Sequence, residues 1–433
     1  MKRFVINKII WVALVAMMCV FVFVGCGDDD DDEVVVVQNS TPTTNDNKTT
    51  KTYFAKDTTV TLASGYEEYV YAHDIFYFKY LWNQNIPNTF TEEYYSKFSS
   101  PEEMIESFIV SKDDKSWVMS KDEYDEQYKT FNDAFDGIKW HVHYIDNSKK
   151  NPCIIVTYVV ENSPAEFAGL HRGCAITKIN GTKLTTNNYS NLMDKETKTV
   201  TYVETRMDDE GNLYFTDEEK TTPSFSNRVL DWNTILLKKR IETNNSNIGY
   251  LAMMYVDNEE EIDDAFQDLK MWDIEYLVLD WRFLTATDFE KLRNFVSYLV
   301  PDKAIEKTFL TVKYSSYTKK YNFEDRDSRL NLKRIYLLVS EDSNIHSLVS
   351  SLSPYIDITI IGSDVTEIKH QYAYITYEGT NLFYRVTVGE WLDADGDVIT
   401  TPAIDYNIED FACTELGDPS EPLLAKALEL INE

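Results

Sequence analysis

Ser343 and Lys369 are the residues of this chain whose types and placing suit covalent chemistry. A serine hydroxyl is a poor nucleophile until a base takes its proton, and a lysine can serve when burial lowers its pKa. Ser343 stands where an apolar, β-branched run, Arg334-Ile335-Tyr336-Leu337-Leu338-Val339, gives way through Ser340-Glu341-Asp342-Ser343-Asn344 to residues at helical spacing, Ile345, Leu348, Val349 and Leu352. Pro354 stops that helix, and Ile356 to Ile361 predicts a second buried strand ending at Gly362. Where such a strand hands over to a helix, at the carboxyl edge of the sheet, α/β proteins place their chemistry. Lys369 follows just beyond the second strand. Asp342-Ser343-Asn344 is equally an ordinary helix cap, so the residues alone leave Ser343 as nucleophile or as cap.

Other side chains carry less. His346 and His370 lie near this unit and invite a Ser/His pairing, although a histidine at a helix start is ordinarily solvated. His141 and His143 share one face of a strand, a spacing that can bind metal, with no third ligand in the sequence. Asp393-Ala394-Asp395-Gly396-Asp397 opens like a calcium loop, but Ile404 stands where a bidentate glutamate belongs, and an acidic hairpin turn is expected instead. Beyond Cys19 and Cys26, the cysteines Cys153, Cys174 and Cys413 form no CxxC pair or Cys/His cluster. No metal site, disulfide framework or other cofactor is therefore expected.

The scaffold must hold these residues in place. With 433 residues, 43% hydrophobic and 14% aromatic, there is room for two or three packed domains. The 42 Lys+Arg against 73 Asp+Glu give a formal charge of −31, which repels phosphate and argues against nucleic acid or an anionic membrane surface as partner. Lys2, Arg3 and Lys8 precede an apolar run from Ile9 to Val24, the pattern of a secretion signal and short for a membrane span. It ends Val24-Gly25-Cys26, which resembles the lipobox of bacterial lipoproteins. That resemblance implies a signal peptide over 1–25, lipid on Cys26, and a place at the outer membrane or cell surface, touching the membrane only through the anchor. Asp28 to Asp32 with Glu33 resembles the surface-export tag of Bacteroidetes lipoproteins, and is equally a solvated run within an acidic tether over 26–56.

Residues 57–132 predict a helical domain: Tyr69, Ile75, Phe76 and Tyr80 recur at helical spacing, and Ser100-Pro101-Glu102-Glu103 and Ser120 to Glu123 are capping boxes. Over 133–205, Cys153 to Val160 predicts a strand, Ser163-Pro164-Ala165-Glu166 a short helix ended by Gly169, and Ala175 to Gly181 a strand and Asn-Gly turn. This order resembles a PDZ domain, with Gly173-Cys174-Ala175 in place of the usual Gly-Asp before the isoleucine. The resemblance implies binding of peptide C-termini by strand addition, with the carboxylate loop on Gly137-Ile138-Lys139-Trp140. Residues 198–247 read as a polar insertion with strands around Thr199 to Thr205 and Leu213 to Thr216, of which 206–247 is the connector beyond the PDZ-like domain.

From 248 to 433, strands at Gly249 to Val256 and Tyr276 to Asp280 alternate with helices carrying Ile262, Ala265, Phe266 and Leu269, then Leu292, Phe295, Val296 and Leu299, which predicts a mainly parallel sheet. Ile248-Gly249-Tyr250-Leu251, Leu277-Val278-Leu279-Asp280-Trp281-Arg282, the two strands around Ser343, and Leu416-Gly417-Asp418-Pro419 near the end resemble the carboxyl-terminal processing (tail-specific) serine peptidases in their Bacteroidetes form. The resemblance implies a multidomain α/β protein plus PDZ: a helical N-terminal domain, a PDZ domain, and a ClpP/crotonase-like α/β peptidase core. It implies proteolysis by a Ser/Lys pair on peptide or protein C-termini. The family's Thr-Ala-Ser-Ala-Ser-Glu falls on Glu341-Asp342-Ser343-Asn344-Ile345-His346, and its lysine motif on Thr366-Glu367-Ile368-Lys369 with one inserted residue. Its Asp-Leu-Arg-x-Asn-x-Gly-Gly appears as Asp280-Trp281-Arg282-Phe283-Leu284-Thr285-Ala286-Thr287, without either glycine. Losing one oxyanion donor costs about 3–4 kcal/mol of transition-state stabilisation, and Asp342 beside the serine opposes a developing oxyanion. Two functions follow: a divergent Ser/Lys peptidase, or a catalytically inactive lipoprotein that binds peptides or protein tails through the PDZ and the old cleft.

Overall fold

The computed structural model describes residues 50–55, 58–63, 65–113, 115–127, 134–145, 151–208, 212–230, 233–243, 246–284, 288–341, 343–363, 365, 370–376 and 381–433. The expected signal peptide, Cys26 and the acidic run lie outside these residues, and no helix among the described ones is long and apolar enough to cross a membrane. The chain divides into two compact units, one of residues up to Tyr124 with Tyr372–Val388, the other of Asp125–Gln371 with Gly389–Glu433.

The first unit is not the contiguous helical domain the periodicity suggests. Its helix Glu67–Lys79 places Glu67 and Glu68 in the first turn, where the helix dipole favours them, and buries Val70, Ala72, His73, Ile75 and Phe76. Helix Pro101–Phe108 starts at Ser100, whose hydroxyl accepts from the Glu103 amide at 3.2 Å. The Glu103 carboxylate reaches one residue further back than expected and accepts from the amide and hydroxyl of Ser99, both at 2.6 Å. Strands join these helices. Thr50–Ala55 pairs antiparallel with Thr58–Ala63, so a threonine-rich stretch that begins in the expected tether is a hairpin, as β-branched residues favour. Trp117–Ser120 pairs with Leu382–Arg385, a partner more than 250 residues away that no local pattern can reveal.

Two larger sheets lie in the second unit. In the first, the order is Leu213–Phe215, Val200–Met207, Cys174–Ile179, Pro152–Val159, Ile138–Tyr144, all antiparallel, with Ile138–Tyr144 at the edge. Within 206–247 the expected strand at Leu213–Phe215 pairs on Val200–Met207, and two strands that were not expected join it: Lys220–Thr221 also pairs on Val200–Met207, and Ile235–Glu242 edges the second sheet. Lys220–Thr221 is short and Ile235–Glu242 half solvated, so these two lack the apolar signal that marks a buried strand.

The second sheet runs Ile235–Glu242, Asn247–Met253, Tyr276–Asp280, Arg334–Val339, Asp357–Gly362, Tyr406–Asn407, antiparallel at the first pair and parallel from there on. Successive side chains of its central strands face opposite cores. Leu277, Leu279, Leu337 and Val339 pack with Phe266, Leu269, Phe295, Leu348 and Leu352, while Val278, Tyr336, Leu338 and Ile361 pack with Leu423, Leu424 and Ala427 of helix Pro422–Asn432. Burial on both faces is why these strands read as unbroken apolar runs.

Candidate functional site

The carboxyl ends of two adjacent parallel strands, Tyr276–Asp280 and Arg334–Val339, bring Trp281, Arg282, Ser340 and Ser343 together. Ser343 has no solvent exposure. Its hydroxyl donates to the Trp281 carbonyl at 3.1 Å and accepts from the Ser340 amide at 3.0 Å, and its own amide donates to the Ser340 carbonyl at 2.9 Å. Ser340 donates in turn from its hydroxyl to the Arg282 carbonyl at 3.1 Å. The indole of Trp281, fully buried, donates to the Asn344 carbonyl at 3.1 Å. Ser343 is thereby a stitch between two strand ends.

It is not the helix cap that the sequence offered as the alternative. Helix His346–Leu352 begins three residues later, with Ile345 at the cap position and no side chain capping it. The reason is that the Ser343 hydroxyl is already committed to Ser340 and Trp281, and Ile345 is fully buried. A nucleophilic serine needs its proton directed to a base, and here the proton points to a backbone carbonyl. Lys369, Asp342 and Thr285 to Thr287 lie outside the described residues. His346 is fully buried rather than solvated, with Nε2 3.1 Å from the Thr401 hydroxyl, and His370 opens the strand His370–Thr376.

Beside this turn lies a buried ionic network of which the sequence marked only Asp280 and Arg282. Arg282, with 2% of its side chain exposed, makes a two-pronged pair with Asp280 at 2.9 and 2.6 Å and also donates to Asp410 and Glu421, each at 2.8 Å. Arg172 donates to Asp410 at 2.6 Å and to the carbonyls of Thr157 and Thr414 at 2.7 and 2.8 Å. Tyr250 donates to Asp280 at 2.6 Å. Burial alone would raise the Asp410 pKa, but the guanidinium groups of Arg172 and Arg282 hold it well below the usual carboxylate range. Arg172 comes from the antiparallel sheet region and Asp410 and Glu421 from the last part of the chain, so this network ties both to the parallel sheet at the serine turn.

Of the residues expected to hold a peptide carboxylate, Ile138, Lys139 and Trp140 lie in the edge strand Ile138–Tyr144, with a bulge between Lys139 and Trp140. The Ile138 amide donates to Asp136 at 2.9 Å, and Asp136 is fixed by the buried ammonium of Lys198 at 2.7 Å. That amide is therefore taken. Gly137 has φ +92°, and a Cβ there would lie 2.2 Å from Ser163 Cβ. Gly137→Ala is expected to cost roughly 2–4 kcal/mol through strain and overpacking, measured as a lowered urea midpoint.

Among the lesser candidates, the Asp393 carboxylate accepts from the amides of Asp395 and Asp397 at 3.0 and 2.9 Å, which closes a hairpin turn bridged by Leu392 and Val398. Cys153 and Cys174 are free, buried thiols. The absence of any Cys/His cluster does not hold in three dimensions: His171, Cys174 and Glu204 converge, with ligand atoms within 4.8 Å of one another. The signal was His171-Arg172-Gly173-Cys174, a spacing that brings both side chains together once the loop turns.

No protein-family model and no curated protein matches the sequence. Solved structures do. A Bacteroides fragilis protein classed as an S41 protease is similar at 20% identity with a TM-score of 0.68, over 84% of this chain and 97% of that one. The photosystem II D1 C-terminal processing protease is similar at 14% identity with a TM-score of 0.50, over 84% of this chain and 100% of that one. The chain therefore has the mixed α/β fold of the S41, carboxyl-terminal processing peptidases.

Proposed function

We propose, from this shared peptidase fold, that the protein binds peptides or protein tails without using Ser343 as a nucleophile. The observation that carries the reading is the Ser343 hydroxyl, fully buried and donating to the Trp281 carbonyl. An extended peptide adds to the edge strand Ile138–Tyr144 in the manner of a PDZ ligand, and the lipid anchor on Cys26 holds the protein at the outer membrane or cell surface.

A second reading is proteolysis by Ser343 and Lys369. It is favoured by the position of Ser343 at the carboxyl end of a central parallel strand, where α/β folds place their chemistry, and by a fold match over 84% of the chain. It requires the Ser340–Ser343 turn to open so that the hydroxyl leaves Trp281.

The test incubates the full chain with an unstructured protein of apolar C-terminus, beside Ser343→Ala and Lys369→Ala, and follows both cleavage and binding by fluorescence anisotropy. The expected result is binding by all three proteins with no cleavage above background. Cleavage by the parent protein that disappears in both variants overturns the proposal in favour of the second reading. Ser343→Ala is also expected to lower stability by about 1–2 kcal/mol, because the Ser340 amide loses its acceptor and the Trp281 carbonyl keeps only the longer bond from the Leu284 amide, at 3.3 Å.

A further inference from the structure

The antiparallel sheet carries a second cluster that neither peptide binding nor proteolysis uses. Cys174 and Glu204 are cross-strand partners on neighbouring strands, and His171 lies in the loop that enters the Cys174 strand. The imidazole Nδ1 of His171 is 2.8 Å from the Arg172 carbonyl. A carbonyl only accepts, so Nδ1 carries a proton and donates it. The other ring nitrogen, Nε2, faces a Glu204 carboxylate oxygen at 3.4 Å. In a neutral ring that nitrogen holds a lone pair, and a lone pair opposite a carboxylate is repulsive. An ion bound between the two groups would turn that repulsion into coordination.

The third member of the cluster decides which cation fits. The Cys174 thiol is buried, and it would bind an ion as the thiolate, giving up its proton. A thiolate, an imidazole nitrogen and a carboxylate are a ligand set for zinc, with a fourth position left open. Zinc–ligand bond lengths put tetrahedral donor atoms about 3.3–3.7 Å apart, so the His171–Glu204 pair is already at ligand spacing and the rest must close by about an ångström. His171 has 47% of its side chain exposed, which gives an ion a way in. The Arg172 carbonyl fixes the ring tautomer with Nε2 free to bind, as outer partners of metal-bound histidines do.

We propose that His171, Cys174 and Glu204 form a binding site for Zn²⁺ or a similar divalent ion. Binding releases the Cys174 proton to solvent and leaves one coordination position for water or an outside donor. Lys220, half exposed, donates to the same Glu204 carboxylate at 3.0 Å and is the ion's competitor. In the empty protein the ammonium supplies the positive charge that the ion replaces.

The test titrates the full chain, freed of metal, with Co²⁺ and reads the thiolate-to-cobalt charge-transfer band, then displaces it with Zn²⁺. One equivalent is expected to give the band. Cys174→Ser should abolish it, and His171→Ala, at an exposed position that tolerates change, should weaken binding at least as much as the ~10-fold typical of losing an outer partner. Lys220→Met should tighten binding roughly threefold to tenfold by removing the competing charge. Cys413→Ser should leave the band intact. No band in the parent protein overturns the proposal and leaves the Lys220–Glu204 ion pair only. A band of equal strength in His171→Ala, or its loss in Cys413→Ser, overturns it as well.

Discussion

Arg282→Met is expected to destabilise the second unit by about 3–5 kcal/mol, seen as a large drop in the urea midpoint, because it leaves Asp280, Asp410 and Glu421 buried around an apolar side chain. The size does not come from the worth of the ion pairs themselves, which their desolvation largely offsets. It comes from Asp280 and Glu421, 0% and 1% exposed, whose remaining side-chain partners are the Tyr250 hydroxyl at 2.6 Å and Arg172 at 3.7 Å respectively, whereas Asp410 keeps its pair with Arg172 at 2.6 Å. The same network predicts acid sensitivity. Asp410 has its folded pKa held below the ordinary carboxylate value by Arg172 and Arg282, so its contribution is fully present above about pH 4 and is lost as pH falls through the folded value. Stability measured from pH 7 downward should therefore stay level and then fall below about pH 4, with a shallower fall in Arg282→Met. A loss under about 1 kcal/mol in Arg282→Met would show that water or rearrangement solvates the three carboxylates and would sink this account.

Gly362→Ala is expected to cost roughly 3 kcal/mol or more, enough to threaten soluble expression. Gly362 closes the strand Asp357–Gly362 with φ +146°, a conformation that side chains rarely adopt. A Cβ there would sit 2.0 Å from the Val339 carbonyl oxygen and 2.8 Å from its carbon, both backbone atoms of the facing strand. Backbone cannot step aside as a side-chain tip can, so the two strands must separate. They would separate at Val339, the residue immediately before the Ser340–Ser343 turn. The check is thermal unfolding of the variant beside Gly396→Ala, whose φ is +92° but whose Cβ meets nothing within 4 Å. If both variants lose the same amount, strain alone explains the cost and the close approach does not matter.

Much of the fold is legible in residues. The strands Tyr276–Asp280, Arg334–Val339 and Asp357–Gly362 are mostly apolar between their ends because both faces of the sheet are covered, and a strand buried on both sides has few polar positions to hide it. Ser163, with its proline and glutamate, marks its short helix because capping is a local matter: the Ser163 hydroxyl accepts from the Glu166 amide at 3.2 Å. What stays illegible depends on partners distant in sequence. The strand Trp117–Ser120 is half buried and pairs with Leu382–Arg385, and Arg172, Asp410 and Glu421 look like ordinary surface charges until the chain brings them to Arg282.

By itself, then, the sequence determined which stretches must be buried, where their strands and helices change over, and that Ser343 stands at one such change. Only the tertiary structure decided what Ser343 does there. A hydroxyl takes the nearest well-placed donor and acceptor, and those are the Ser340 amide and the Trp281 carbonyl, the latter 62 residues away along the chain and brought within 3.1 Å by the pairing of two parallel strands.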